Sequence, residues 1–372
     1  MRRSAWLILI ATTVLVAGGA TWTVFQRERA THADDARVRF FPGLAGRVND
    51  VTQIEISGPK GAFHVRSVKD AAGQARWVLA EKSDYPAKID KVKKTVTAMA
   101  EIAGTEPRTD TPALYDKIGV GEPGKPDSDA VRIRVLDGKD AILADLITGK
   151  FKTRESGNRA AEIYVRRPDA ARAWLAEARI DAVGDPLEWI DHEILRLART
   201  RVAEAVTTQP DKSRARVYRD DLKATDFKLD KVPNGYHAAS QVDVNGIGGG
   251  LDYVTFDDVR KAAGLDLGQA VVTEVRTFDG VVLTIRVVQN DGKSWAVIGA
   301  SVDAARAKTR PADDKEVLLS ADAVEKEVAE LNGRLDGWAF QLPDFRAKDW
   351  TRKLADLVEK DEDKKDDKKG GK

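Results

Sequence analysis

Val131-Arg132-Ile133-Arg134-Val135-Leu136-Asp137-Gly138 alternates branched apolar residues with arginines and ends in a turn pair. A two-residue period puts Val131, Ile133 and Val135 on one side of an extended chain and both arginines on the other. That is a half-buried strand of an antiparallel sheet, with Asp137-Gly138 turning into the next strand. Upstream, the pairs Ile54 and Ile56, Phe63 and Val65, and Trp77 and Leu79 repeat the alternation, and Gly58-Pro59-Lys60-Gly61 reads as the first turn. After Pro86 the apolar spacing changes to Ile89, Val92, Val96, Met99 and Ile102, one face of a helix expected to stop at Gly104. Ile163 and Val165 form another short strand, and a helix led by Pro168 is expected after it.

Asp185-Pro186-Leu187-Glu188 reads as a capped helix start, with Leu187, Ile190, Ile194 and Leu197 on one face, joining two domains. Beyond it the strand pattern begins again in Val202 to Thr207, Arg214 to Arg219 and Phe227 to Leu229. It continues in Val271 to Phe278, Val281 to Val288 and Trp295 to Ile298. Trp77-x-Leu79 then pairs with Phe227-x-Leu229 and Asp137-Gly138 with Asp279-Gly280, a weak internal duplication. Thr255-Phe256-Asp257-Asp258 is expected to open the second helix and Gly264 to end it. Val324, Val328, Leu331 and Leu335 mark a further helix face, followed by a strand through Trp338, Phe340 and Leu342 that adds to a sheet edge. The fold class is α+β: an N-terminal transmembrane helix and two similar antiparallel-sheet-plus-helix domains.

The two ends of the chain are equally distinctive. Ala5 to Phe25 carries no charge, and at about 1.5 Å per residue it spans a hydrocarbon core of about 30 Å. Arg2 and Arg3 precede it, Arg27 follows, and Trp6 and Trp22 stand where indoles favour the headgroup layer, so these five are the expected membrane-interface anchors. A cleaved secretory signal, with Ala17 to Ala20 near the cut, is the alternative; both export the remaining chain. The arginine bias orients the N-terminus to the cytoplasm and the bulk of the chain to the periplasm of a bacterial inner membrane, in a single pass. From Glu359 the run to Lys372 is charged and lacks apolar residues, a disordered tail. The expected organisation is therefore an anchor over 1–30, a linker over 31–47, α+β domains over 48–200 and 201–358, and a tail over 359–372.

Composition narrows the function. A net charge of +1 in 372 residues offers no overall basic field for nucleic acid, and the chain has no cysteine, hence no disulfide, thiol nucleophile or cysteine metal site. Gly119-Val120-Gly121-Glu122-Pro123-Gly124 matches a dinucleotide fingerprint by letter, but no apolar strand precedes it, and Glu122 stands where a phosphate needs donors. It reads as a turn. Gly246-Ile247-Gly248-Gly249-Gly250 satisfies neither that fingerprint nor a P-loop and reads as a flexible loop. His192-Glu193 opens a zinc-protease pattern that Arg196 breaks, and His32, His64, His192 and His237 lie in different segments. Asp257-Asp258 and Asp313-Asp314 are adjacent pairs that point apart in a strand. Trp77, Trp174, Trp189, Trp295, Trp338 and Trp350 read chiefly as core, with sugar-stacking as the rival role. No catalytic, cofactor-binding or metal-ligating residue is expected.

The order Ile54-x-Ile56, Trp77-x-Leu79, the helix from Ile89, Leu114-Tyr115, Ile118-Gly119-Val120, Tyr164-Val165-Arg166, Trp338-Ala339-Phe340-Gln341-Leu342-Pro343 and Asp356-Leu357 resembles the bacterial family DUF4340, domain of unknown function 4340. One departure is Asp116-Lys117 between Tyr115 and Ile118-Gly119, where the family places an aromatic directly before the glycine. The resemblance implies an inner-membrane-anchored extracytoplasmic protein, often encoded beside an ABC-type exporter and a gliding-motility-type auxiliary protein, and it implies no catalytic residues. The expected function is a non-enzymatic tethered accessory or scaffold whose partner is such an exporter or its auxiliary subunit. The alternative is an extracytoplasmic glycan- or lipid-binding module.

Overall fold

The computed structural model describes residues 37–70, 72–125, 127–152, 162–177, 180, 184–309 and 318–361. The apolar run 5–25, with Arg2, Arg3, Trp6, Trp22 and Arg27, lies outside the described residues, as does the charged run after Asp361. Among the described residues no helix is long and apolar enough to cross a membrane. The protein is an α+β molecule of antiparallel sheets with few helices, and it divides into two units after Asp191.

The first unit runs β1 (Val38–Arg39), β2 (Val51–Gly58), β3 (Gly61–Lys69), β4 (Ala75–Leu79), β5 (Tyr85–Pro86), α1 (Ile89–Glu101) and β6 (Ala103–Pro107). After these come the short helix α2 (Tyr115–Ile118), β7 (Val131–Asp137), β8 (Ile142–Lys152), β9 (Glu162–Arg166) and β10 (Ala173–Glu177). They form one ten-stranded antiparallel sheet ordered β1-β6-β10-β9-β8-β7-β2-β3-β4-β5. The opening alternation explains its centre: Ile133 and Val135 of β7 are buried beside Ile54 and Ile56 of β2, while Arg132 and Arg134 face the other way. The helix α1 turns Val92, Val96 and Met99 inward. Its stop is not a glycine cap. Ile102 leaves the helix in extended conformation, and Gly104 already belongs to β6, where a Cβ would stand 2.7 Å from the Trp174 ring.

Two expectations fail in this unit. The segment after Pro168 is not a helix but β10, seated between β9 and β6. Its Ala173, Leu175 and Ala176 are all buried, and burial on both faces erases the two-residue period. Asp185 does cap, its carboxylate accepting from Leu187 N at 3.0 Å, but only one 3-10 turn, Pro186–Trp189, follows. The backbone is then drawn straight: Lys88 N donates to Trp189 O at 2.8 Å and Ile190 bridges Ala87.

The second unit runs β11 (Glu193–Leu195), β12 (Val202–Thr208), β13 (Arg214–Tyr218), β14 (Lys228–Leu229), β15 (Tyr236–Ala238), α3 (Gln241–Gly248), β16 (Val254–Thr255) and β17 (Asp258–Lys261). It continues through β18 (Val271–Thr277), β19 (Val281–Asn290), β20 (Lys293–Val302), α4 (Ala304–Thr309), α5 (Ala321–Leu335), β21 (Trp338–Gln341), α6 (Asp344–Thr351) and β22 (Val358–Lys360). Its main sheet is ordered β14-β13-β12-β18-β19-β20-β21-β17, with β11-β16 and β15-β22 as separate pairs. The helix expected from Thr255 is absent: that stretch forms β16 and β17, and Phe256 is buried between them. The helix lies instead at Gln241–Gly248, in the segment expected to be a loop.

Ser240 starts it, its hydroxyl accepting from Asp243 N, and Val244 and Ile247 are its buried residues. Its glycines are contacts: a Cβ on Gly248 would meet the Phe227 ring at 2.7 Å, and one on Gly246 would meet Asp349 Oδ1 at 2.8 Å. The helix α5 buries Val324, Val328, Leu331 and Leu335 as its spacing foretold. By contrast β21 is not an edge strand, because β17 pairs along its far side with Val259 opposite Phe340. The charged run also begins later than its composition indicates: Glu359 and Lys360 pair with His237 and Tyr236.

The glycines give two predictions of opposite sign. Gly248→Ala should destabilise by about 1–3 kcal/mol through overpacking against Phe227. Gly333→Ala in α5, where a Cβ meets nothing within 4 Å, should stabilise by about 0.5–1 kcal/mol through helix propensity. Urea midpoints of the two variants measure both.

Candidate functional site

Alternation that buries one side of each sheet exports the polar residues to the other. In the first unit the ladders place His64 opposite Glu55, Glu55 opposite Arg134, and Arg134 opposite Asp145, so one row crosses four strands. Basic and acidic side chains alternate along it. Glu81 accepts from His64 N at 2.9 Å and holds the His64 ring at 2.6 Å, Arg134 pairs with Glu55, and Arg132 grips Asp145 with two bonds of 2.8 and 2.6 Å. Hydrogen bonding to Asp145 raises the proton affinity of Arg132 against the opposing effect of burial. Opposite charges facing across strands each contribute modestly, but a continuous row fixes where every head group stands.

The second unit gathers its charges around one carboxylate. Glu204 of β12 accepts from Arg216 of β13 at 2.7 Å and from Arg306 of α4 at 2.8 Å, and Arg276 of β18 lies 3.9 Å away. The hydrogen bond to Glu204 raises the proton affinity of Arg216. Glu204, Arg216, Asp230, Glu274 and Arg276 line an open groove of about 560 Å³. These guanidiniums are part-exposed, so each pair adds little stability and leaves planar donors accessible.

Three of the segments that carry the family resemblance, Leu114-Tyr115, Ile118-Gly119-Val120 and Tyr164-Val165-Arg166, meet elsewhere, at the loop between β6 and β7. Tyr115 starts α2, and Gly119 ends it in the left-handed conformation, with φ of 73°. Arg166, 4% exposed, lies over the Tyr115 ring at 4.6 Å, donates through Nε to Val120 O at 3.1 Å and pairs with Glu122 at 2.9 Å. Tyr115 donates to Ala171 O at 2.5 Å. Tyr115, Val120, Ala130, Ile147 and Ala173 form one buried cluster, with Ile118 and Tyr164 packed on it. Asp116-Lys117 is accommodated inside the helical turn. The dinucleotide-like glycines thus belong to a clamp around an arginine, and Glu122 is that arginine's counter-ion.

His32 and Asp313-Asp314 lie outside the described residues, and the remaining candidates stay dispersed. His192 stacks on Phe256 at 5.3 Å, and His237 pairs with Asp361 at 2.9 Å on the surface. Asp258 accepts from its neighbour Val259 N. Among the described residues no group of three or more His, Asp or Glu could hold a metal ion. Trp189, Trp295, Trp338 and Trp350 are buried, while Trp77 and Trp174 are half-buried. The charged row was visible in the 132 and 134 alternation, but its role as a site was missed. Glu204 gave no signal, since Arg306 reaches it from a distant segment of the chain.

No curated protein and no solved structure matches the chain. A family model matches Trp77 through Ser240, a stretch that includes α1, the Tyr115–Arg166 clamp and the opening strands of the second unit. Over residues 77–240 the chain is similar to the family described as Domain of unknown function (DUF4340).

Proposed function

We propose that the chain is a non-enzymatic, membrane-tethered extracytoplasmic scaffold. Two copies of one α+β unit present polar sheet faces to a membrane partner of the ABC-export type. The observation that carries this reading is the strand order. Across the two sheets, β4-β3-β2-β7-β8-β9-β10-β6 corresponds element by element to β14-β13-β12-β18-β19-β20-β21-β17. The details agree with duplication. A bulge interrupts β2 against β7 between Val51 and Gln53, and another interrupts β12 against β18 between Val202 and Glu204. In each unit an arginine ahead of that strand also pairs with an aspartate of the central hairpin, Arg47 with Asp137 at 2.7 Å and Arg201 with Asp279 at 2.9 Å, though at positions that are not equivalent in register. Gly119 and Gly264 take positive φ in corresponding loops. Register revises one pairing from the sequence: Val51 faces Asp137 and Val202 faces Thr277, so Asp137 corresponds to Thr277 rather than Asp279.

A duplicated scaffold with ordered charge on an open sheet face is suited to docking, where charge complementarity sets register and partner choice. The tether comes from residues 5–25, and the exporter from the family resemblance. A second reading, a hydroxyl-rich ligand such as a glycan, rests on the polar groove at Glu204. Topology is tested by fusing reporters after Val358: an extracytoplasmic reporter should be active, and a cytoplasmic one should not. Cytoplasmic activity at that position excludes the proposal, and a mature N-terminus near residue 21 replaces the anchor by a cleaved signal.

A further inference from the structure

The first unit displays apolar side chains to solvent. Val38 is 43% exposed, Val48 37% and Ile142 53%. Val48 and Ile142 flank one turn, whereas Val38 lies on the edge strand β1 opposite Gly104 of β6. Phe41, three residues after Val38, lines an open cavity of about 540 Å³ together with Ile142, Leu143 and Pro168. Val48 follows Arg47, whose guanidinium holds Asp137 at 2.7 Å in the turn that leads into Ile142. The acids here are largely engaged: Glu177 with Arg37, Asp137 with Arg47, Asp145 with Arg132, and Asp169 with Arg167. Lys139 is exposed beside them, and Asp140 lies in the same turn.

The described chain begins four residues before Phe41. Arg37 leads directly into β1, and only residues 26–36 separate it from the apolar run, a reach of at most about 40 Å when fully extended. We infer that the patch formed by Phe41, Val48 and Ile142 with Lys139 rests in the lipid headgroup layer of the membrane that holds residues 5–25. The inference rests on the tethered reading above. Apolar tips flanked by lysine suit a shallow interfacial seat, because the methyl groups leave water while the cation stays among phosphates. Such a seat fixes the orientation of the charged row instead of leaving the unit free on its linker.

The absence of cysteine makes the test direct. Ile142→Cys and, as reference, Ile89→Cys are labelled with an environment-sensitive fluorophore in the full chain. Ile89 is 43% exposed and begins α1, about 18 Å along the helix axis from Glu101; that far end leads to Ile102, whose carbonyl accepts from Phe40 N at 3.2 Å. The labelled chains are inserted in phosphatidylethanolamine–phosphatidylglycerol vesicles containing lipid spin-labelled near the headgroup. Quenching several-fold stronger at residue 142 than at residue 89, independent of protein density, is the expected result. Equal quenching at both sites in a chain that resists alkaline extraction overturns the interfacial seat and leaves the tether standing. Shielding of residue 142 only at high protein density assigns the face to a second copy and also overturns it. Release of the chain by alkaline extraction overturns the tethered reading itself.

Discussion

Replacing Asp279 by alanine should destabilise the second unit by about 3–5 kcal/mol, the usual effect of breaking a buried charge pair from one side. Asp279 has no exposed surface and accepts from Arg201 Nε at 2.9 Å, Thr277 Oγ1 at 2.5 Å and Leu319 N at 3.0 Å. Arg201 in turn grips Glu327 of α5 with bonds of 2.9 and 2.7 Å. Burial opposes the charge on Arg201, yet its hydrogen bonds to Glu327 and Asp279 raise its proton affinity above the ordinary arginine value. The network ties the turn before β12, the β18–β19 hairpin and the start of α5 to one point. Alanine leaves three donors short of an acceptor, whereas Asp279→Asn keeps the shape and loses only charge, so its cost should be smaller. Urea unfolding in detergent, followed separately in each unit, checks this; an unchanged first-unit transition serves as internal reference.

Loss of the tether should abolish function while loss of single candidate catalytic side chains does not. Exporting residues 26–372 through a cleavable signal removes the apolar run but keeps both units. A short tether holds a domain near its membrane partner at an effective concentration on the order of millimolar, which free diffusion in the periplasm does not restore. Complementation of a deletion strain should therefore fall to the level of the empty vector. In the same assay His192→Ala, His237→Ala, Asp257→Ala and Asp258→Ala should remain near wild type at equal protein levels. An untethered form that complements fully removes the physical basis of the scaffold reading. A folded point variant that is inactive replaces it with a ligand or catalytic site.

How much could be read in advance depended on how many faces each element buries. Val131 to Asp137 was legible because Arg132 and Arg134 break the apolar pattern at every second residue. Ala173 to Glu177 was not, because a strand enclosed by β6 and β9 and buried on both faces shows no period. Asp185 announced a turn, but a cap carries no information on length; the pull of Ile190 toward Ala87 ended the helix. The helix at Gln241 was hidden by Gly246 and Gly248, whose low helix propensity argued for a loop. Their real constraint, contact with Asp349 and Phe227, comes from segments distant in the chain. The functional surface followed the same rule. A row built from alternation within strands was partly visible, whereas Glu204 depends on Arg306, which only the folded chain brings to it.

On the proposed reading, two copies of one unit are held at a membrane to bind a membrane protein. Purification of the full chain from native membranes in mild detergent, followed by native mass measurement, tests it most directly. A stoichiometric complex with a transporter-type membrane protein, weakened by charge reversal at Glu55 or Glu204 without loss of folding, is expected. A chain that emerges alone, carrying a bound glycan or lipid that survives purification, would contradict it.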